Sequence, residues 1–191
     1  MKKLVIVLLA AMLVFSLTSC KDKSEEMIEI YEKFCSTVTL GDCVMETFDD
    51  PVDFDTDTTA ADPNLINLSR IIGLSSGSVV DVKSIVSKAG EVEVVSNDDF
   101  SNTTITWKSI VIGYTAEDGT TGQLTLSGTY EHEYVLDTSA SRAVSKSISY
   151  RYNFTINGTS YSADYIQESG KYSAASVDGK GVNLRILNAG K

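Results

Sequence analysis

Along this chain an apolar run comes first, two stretches follow in which apolar residues return every three to four positions, and alternation of apolar and polar residues then takes over. The first periodic stretch holds Met27, Ile30, Tyr31, Phe34 and Val38, with Glu25, Glu26, Glu29, Glu32 and Lys33 between them. That spacing predicts an amphipathic helix near residues 24 to 36. From Asp42 to Asp62 the chain is acidic and rich in turn formers, which reads as a surface loop. Asp62 and Pro63 then supply a cap and a first-turn proline ahead of Leu65, Leu68, Ile71 and Ile72, so a second short helix is expected, stopped by Gly73.

From Ser78 onward the period becomes two, the mark of half-buried strands. The clearest strand is 123 to 136, with Leu124, Leu126, Gly128, Tyr130, His132, Tyr134 and Leu136 on one face. Gln123, Thr125, Ser127, Thr129, Glu131 and Glu133 fall on the other. Asn157-Gly158 favours a two-residue hairpin turn, which pairs Ile156 with Thr159, Phe154 with Tyr161, Tyr152 with Ala163 and Tyr150 with Tyr165. Further strands are expected at 78 to 87, 91 to 96, 103 to 114 and 182 to 187, and Ser109 breaks the alternation of its strand as a bulge would. The expected fold is mainly β, a β-rich α+β domain. A curled antiparallel meander or barrel-like sheet of about seven strands carries two N-terminal helices over an edge or mouth.

The opening apolar run is Leu4 to Leu17, preceded by Lys2 and Lys3, and it has the form of a secretory signal. Its length is about 21 Å as a helix, short of the roughly 30 Å hydrocarbon core. It ends in Leu17-Thr18-Ser19-Cys20, which resembles the lipobox of bacterial lipoproteins, where small residues precede a cysteine that becomes the lipidated N-terminus. The resemblance covers about twenty residues. It implies cleavage after Ser19, acylation of Cys20 and attachment to a membrane by several acyl chains, a stable anchor. Lys21 stands where an aspartate would resemble the inner-membrane retention signal, so the outer membrane is favoured, at its periplasmic face or at the cell surface. The implied organisation is a signal peptide over 1–19, a lipidated tether over 20–26 and one domain over 27–191.

Loss of residues 1–19 leaves 172 of 191 residues and moves the formal charge from −10 to −12, because Lys2 and Lys3 go with it. Such a chain buries about two thirds of its unfolded surface without a metal or disulfide scaffold. The acidic balance and the absence of a basic cluster argue against nucleic acid as a partner. An address outside the cytosol predicts a disulfide between Cys35 and Cys43, with two independent buried thiols as the alternative. No cofactor or metal is expected, since the one histidine, His132, lies far from both cysteines.

Three motifs carry chemistry on paper. Gly73-Leu74-Ser75-Ser76-Gly77 matches the nucleophile elbow of serine hydrolases, but the elements around it run helix then strand, the reverse of what that chemistry requires. Asp53, Asp55 and Asp57 alternate like the start of a calcium loop without its glycine and glutamate, so a looser site that includes Asp49 and Asp50 competes with a solvated acidic loop. Glu131-His132-Glu133 is split between two faces by strand alternation. The most suggestive set is aromatic: Trp107, Tyr130, Tyr134, Tyr150, Tyr152, Phe154, Tyr161 and Tyr165. Tyrosines suit a surface apolar in body and polar at the tip, whether core or pocket.

The expectation is a monomeric, lipid-anchored envelope protein whose domain binds a protein or small ligand without catalysis. A carrier or sensor that holds a small apolar ligand on the concave aromatic face is the second reading. An outer-membrane barrel and a hydrolase acting through Ser75 are minor ones.

Overall fold

The computed structural model describes residues 23–51, 65–137 and 144–189. Helix α1 spans Lys23–Thr47 and α2 spans Leu65–Ser76, followed by strands β1 Val82–Ser96, β2 Asn102–Ala116, β3 Thr121–Asp137 and β4 Val144–Ile156. β5 Thr159–Glu168, β6 Lys171–Val177, β7 Lys180–Gly181 and the single-turn helix α3 Leu184–Leu187 complete the order. The seven strands form one antiparallel meander in sequence order, with β1 and β7 at its edges. The sheet therefore stays open, and it is not the closed, edge-free sheet that a membrane-spanning barrel needs. No helix among the described residues is long and apolar enough to cross a membrane.

Register follows the pattern of the sequence closely on the C-terminal side. All four expected hairpin pairs, from Ile156–Thr159 to Tyr150–Tyr165, are present. On the N-terminal side the expected strands 78–87 and 91–96 are one strand, β1, bent where Gly90 has no partner. The expected bulge at Ser109 lies opposite it, and Gly128 on β3 flanks the same register break. All three residues have positive φ (112°, 51° and 139°), so the sheet is creased along one line across three strands. The expected strand 182–187 is instead mostly the helical turn α3. Asn183 caps it by accepting from Arg185 N at 3.0 Å, which outweighs the alternation of Val182, Leu184 and Ile186. The sheet's last full strand is β6, whose backbone at Tyr172 is bonded on both sides by the Asn188 amide.

One face of the sheet carries the core and the other is wet. On the wet face Arg151 bridges Glu131 and Asp164, both at 2.9 Å, across three strands. Exposed pairs of this kind contribute at most about 1 kcal/mol each. On the inner face Trp107, Tyr152, Phe154, Ile110, Ile112, Leu124, Leu126 and Ile156 are fully buried beneath α1 and α2.

Helix α1 is nearly twice as long as its expected 24–36 span, beginning inside the expected tether and running through the start of the expected acidic loop. Thr37, Val38, Thr39 and Gly41 are poor helix formers, but Phe34, Thr37, Leu40, Gly41, Val44 and Phe48 are buried at intervals of three and four. Gly41 has a separate reason to be glycine. A Cβ there would lie 2.7 Å from Cε1 and 3.0 Å from Cγ of the Tyr152 ring, so the helix backbone rests directly on that ring. Helix α2 passes through Gly73, where space is open, and ends at Gly77, whose φ is 71°. Gly77, not Gly73, is the stop.

The two glycines make a test by opposite signs. In Gly73→Ala the added methyl meets only Ser78 O at 3.5 Å, and the better helix former is expected to stabilise by about 0.5–1 kcal/mol. Gly41→Ala is expected to destabilise by about 1–2 kcal/mol, because overpacking outweighs the same propensity gain. Urea unfolding of both variants reads the two signs, and stabilisation by both would show that α1 does not rest on Tyr152.

Candidate functional site

Beside the packed core, one end of the inner face is hollow. The sheet register builds it as two adjacent rows. The row nearer the core runs Val94, Ile105, Tyr130, Tyr152, Ala163 and Val177 across six strands, and all but Val94 are buried. The next row, Ser96, Thr103, His132, Tyr150 and Tyr165, is more polar and begins with small side chains. Above both lies the C-terminal half of α1, which contributes Asp42, Met45 and Glu46; Asp49 comes from the bend that follows it, and the β1–β2 turn adds Phe100. The open cleft holds about 620 Å³.

Its polar groups are tied together. The Tyr152 hydroxyl donates to Asp42 Oδ1 at 2.5 Å. His132 Nδ1 and the Tyr130 hydroxyl are 3.2 Å apart, and the imidazole also bonds the Phe100 backbone. Ser96 and Thr103 share a hydroxyl bond of 2.8 Å. The rings of Tyr150 and Tyr165 stack with centroids 4.8 Å apart, and Tyr130 lies 5.2 Å from Tyr152.

The electrostatics are those of a poorly solvated, negative site. Burial pushes the Asp42 carboxyl up from its ordinary value, the Tyr152 bond opposes this, and Glu46 adds to it. Burial raises four phenols near it, Tyr150 to about 12 and Tyr130, Tyr152 and Tyr165 further, and the Asp42 charge contributes in each case. Burial lowers the His132 imidazole, partly offset by its bond to the Phe100 backbone, so it is mainly neutral at pH 7.

The eight aromatics singled out in the sequence divide into two groups. Trp107 and Phe154 meet edge to face at 6.3 Å, Phe154 stacks on Tyr161, and Trp107 Nε1 donates to Phe48 O at 2.8 Å. These three are core or lean on it, whereas Tyr130, Tyr134, Tyr150, Tyr152 and Tyr165 line the cleft. Cys35 and Cys43 are eight residues apart on one continuous helix, about 12 Å along its axis, and both thiols are free. The expected disulfide is corrected accordingly, since an unbroken helix cannot bring them within bonding distance.

Ser75 sits in the last turn of α2, its hydroxyl donating to Ile72 O, and its carbonyl accepts from Tyr161. His132 shares a row with Tyr165, which is four residues and roughly 13 Å further along β5 than Tyr161. The elbow motif and the histidine are thus kept apart. Glu131 and Glu133 face away from His132, Glu131 being held by Arg151. Asp49 lines the cleft and Asp50 follows it, while Asp53, Asp55 and Asp57 lie outside the described residues, as do Cys20 and the signal segment. Among the described residues no group of three or more His, Cys, Asp or Glu is placed to hold a metal ion.

Asp42, Glu46 and Phe100 went unrecognised in the sequence, the first two because residues 42–62 read as loop. The recurrence Leu40, Val44, Phe48 continues the helical stripe and is the signal that finds them. A second hollow of about 640 Å³ lies between α2 and the start of β1, lined by Ile66, Leu74, Val79 and Val80 among others, and it is mainly apolar. Comparison with protein-family models, curated proteins and solved structures found no match for the chain.

The raised Asp42 carboxyl gives a pH-dependent prediction. Folding favours its protonated form, so the cost of ionising it in place is absent below the unfolded aspartate range, grows as pH rises through the folded value and is complete at neutral pH. Asp42→Asn keeps an oxygen that accepts from Tyr152. It is expected to raise the urea midpoint at pH 7 and to lose that advantage by about pH 4. An advantage that grows on acidification would contradict the assignment.

Proposed function

We propose that this chain is a lipid-anchored bacterial envelope lipoprotein, held to the outer membrane through Cys20, whose β-rich domain binds a ligand in the tyrosine-lined cleft without chemistry. The observation that carries the binding half is the cleft, a hollow of about 620 Å³ lined by carboxylates, phenols and an imidazole. Concave sites with a few placed polar groups among aromatics are the usual form of a small-molecule site. The anchoring half rests on the apolar run that ends at Cys20, and α1 begins only three residues later, which keeps the domain close to its anchor. The carrier reading, with an apolar ligand, finds its support in the hollow beside α2, where Ile66 and Val79 are exposed.

Two measurements test the two halves. Intact mass spectrometry of protein taken from membranes is expected to show a chain beginning at Cys20 and carrying acyl groups, and Cys20→Ser is expected to leave it unprocessed; an unmodified mature chain would contradict the anchor. In a fragment screen followed by amide chemical shifts, hits are expected to move Phe100, His132 and Tyr150 together. Shifts confined to α2 and the start of β1 would favour the apolar carrier.

A further inference from the structure

The cleft is chemically one-sided. It presents the carboxylates of Asp42, Glu46 and Asp49, no lysine and no arginine, and a histidine held toward its neutral form. An anion would meet repulsion with no counter-charge. A wholly apolar occupant would bury the Asp42 carboxylate further with no compensation, at a cost. Acidic side chains alone would say little, but here they line the same open cleft as aromatic rings, whose faces are also negative. Both features favour the same class of occupant, because a cation gains from ring faces and carboxylates together.

Phe100 extends the aromatic lining to the cleft's edge. It has φ of 55°, a conformation that a residue with a Cβ rarely takes, and the residue is 69% exposed, so core packing does not hold it there. Its amide donates to Asn97 O at 3.0 Å and its backbone bonds the His132 imidazole, so the turn fixes the ring at the cleft's edge.

We infer that the cleft binds a small organic cation, an alkylated or quaternary ammonium group, with Tyr134, Tyr150 and Phe100 as aromatic walls and Asp42 and Glu46 as counter-ions. This rests on the reading of the cleft as the binding site and names the class of ligand it takes. The neutral hydroxyls of Tyr130 and Thr103 are left to meet polar groups elsewhere on the ligand.

The test compares choline with dimethylbutanol, its uncharged carbon isostere, on the full mature protein, read by backbone amide shifts of Phe100, His132 and Tyr150. Choline is expected to bind at least about tenfold more tightly than the isostere. Phe100→Asn suits the turn, since Asn tolerates positive φ, and is expected to leave the fold intact while weakening choline about fivefold or more. Glu46→Gln, at an exposed helix position, is expected to weaken choline and leave the isostere unchanged. Equal binding of the two compounds, or no shift with choline, would overturn the cation assignment. A neutral sugar such as glucose moving the same amides while choline does not would also overturn it, yet leave the cleft standing as a site. Failure of a broad fragment screen to move those amides would remove the site itself.

Discussion

The rest of the structure depends on how closely the backbone of α1 lies on the ring of Tyr152. At Gly41 there is no side chain to hold them apart, and the next residue, Asp42, takes the Tyr152 hydroxyl. Two turns along, the Phe48 carbonyl accepts from the Trp107 indole. These contacts set the height of α1 above the sheet and its direction across β5, β4 and β2. Phe34 then falls between Tyr165 and Tyr172, edge to face with each at about 6 Å. A closed core at one end and a hollow at the other both follow from that single placement. The helix covers the row that holds Tyr152, and the row of small residues beyond it, Ser96 and Thr103, leaves space beneath Asp42, Met45 and Glu46.

What was legible in the sequence was whatever local chemistry decides. The Asn157-Gly158 turn set a register that carried Tyr150, Tyr152 and Phe154 opposite their partners. The long alternation of β3 sorted its faces, and Ser109 marked the crease. What was not legible depended on contacts distant in the chain. The β-branched and glycine residues of α1 argue against a helix until the ring of Tyr152, 111 residues after Gly41, is placed beneath it. Cys35 and Cys43 suggested a short loop only because the helix was expected to stop before the second. Val182 to Leu187 alternate like a strand, and a single capping bond at Asn183 turns most of that segment into α3.

The same division holds for the site. Its floor, from His132 to Tyr150 to Tyr165, could be read from strand pattern and hairpin register. Its other wall comes from a helix half that read as loop, and its edge from a turn residue whose φ no composition reveals. Asp42 and Phe100 are two places where local preference and observed structure disagree, and both line the cleft. A carboxylate pushed toward protonation and an exposed ring at positive φ both cost stability. Their placement on one hollow is the pattern of a site retained against its local cost.

The central claim is that α1 is part of the core and not a lid over it. Native-state hydrogen exchange measures this directly, because segments that open together exchange with the same free energy and the same denaturant dependence. The amides of Leu40 to Thr47 are expected to match those of β3 and β4 on both counts, opening only with the whole domain. Exchange of α1 at clearly lower free energy, with the strands still protected, would contradict the account and make the aromatic face a surface that the helix only covers.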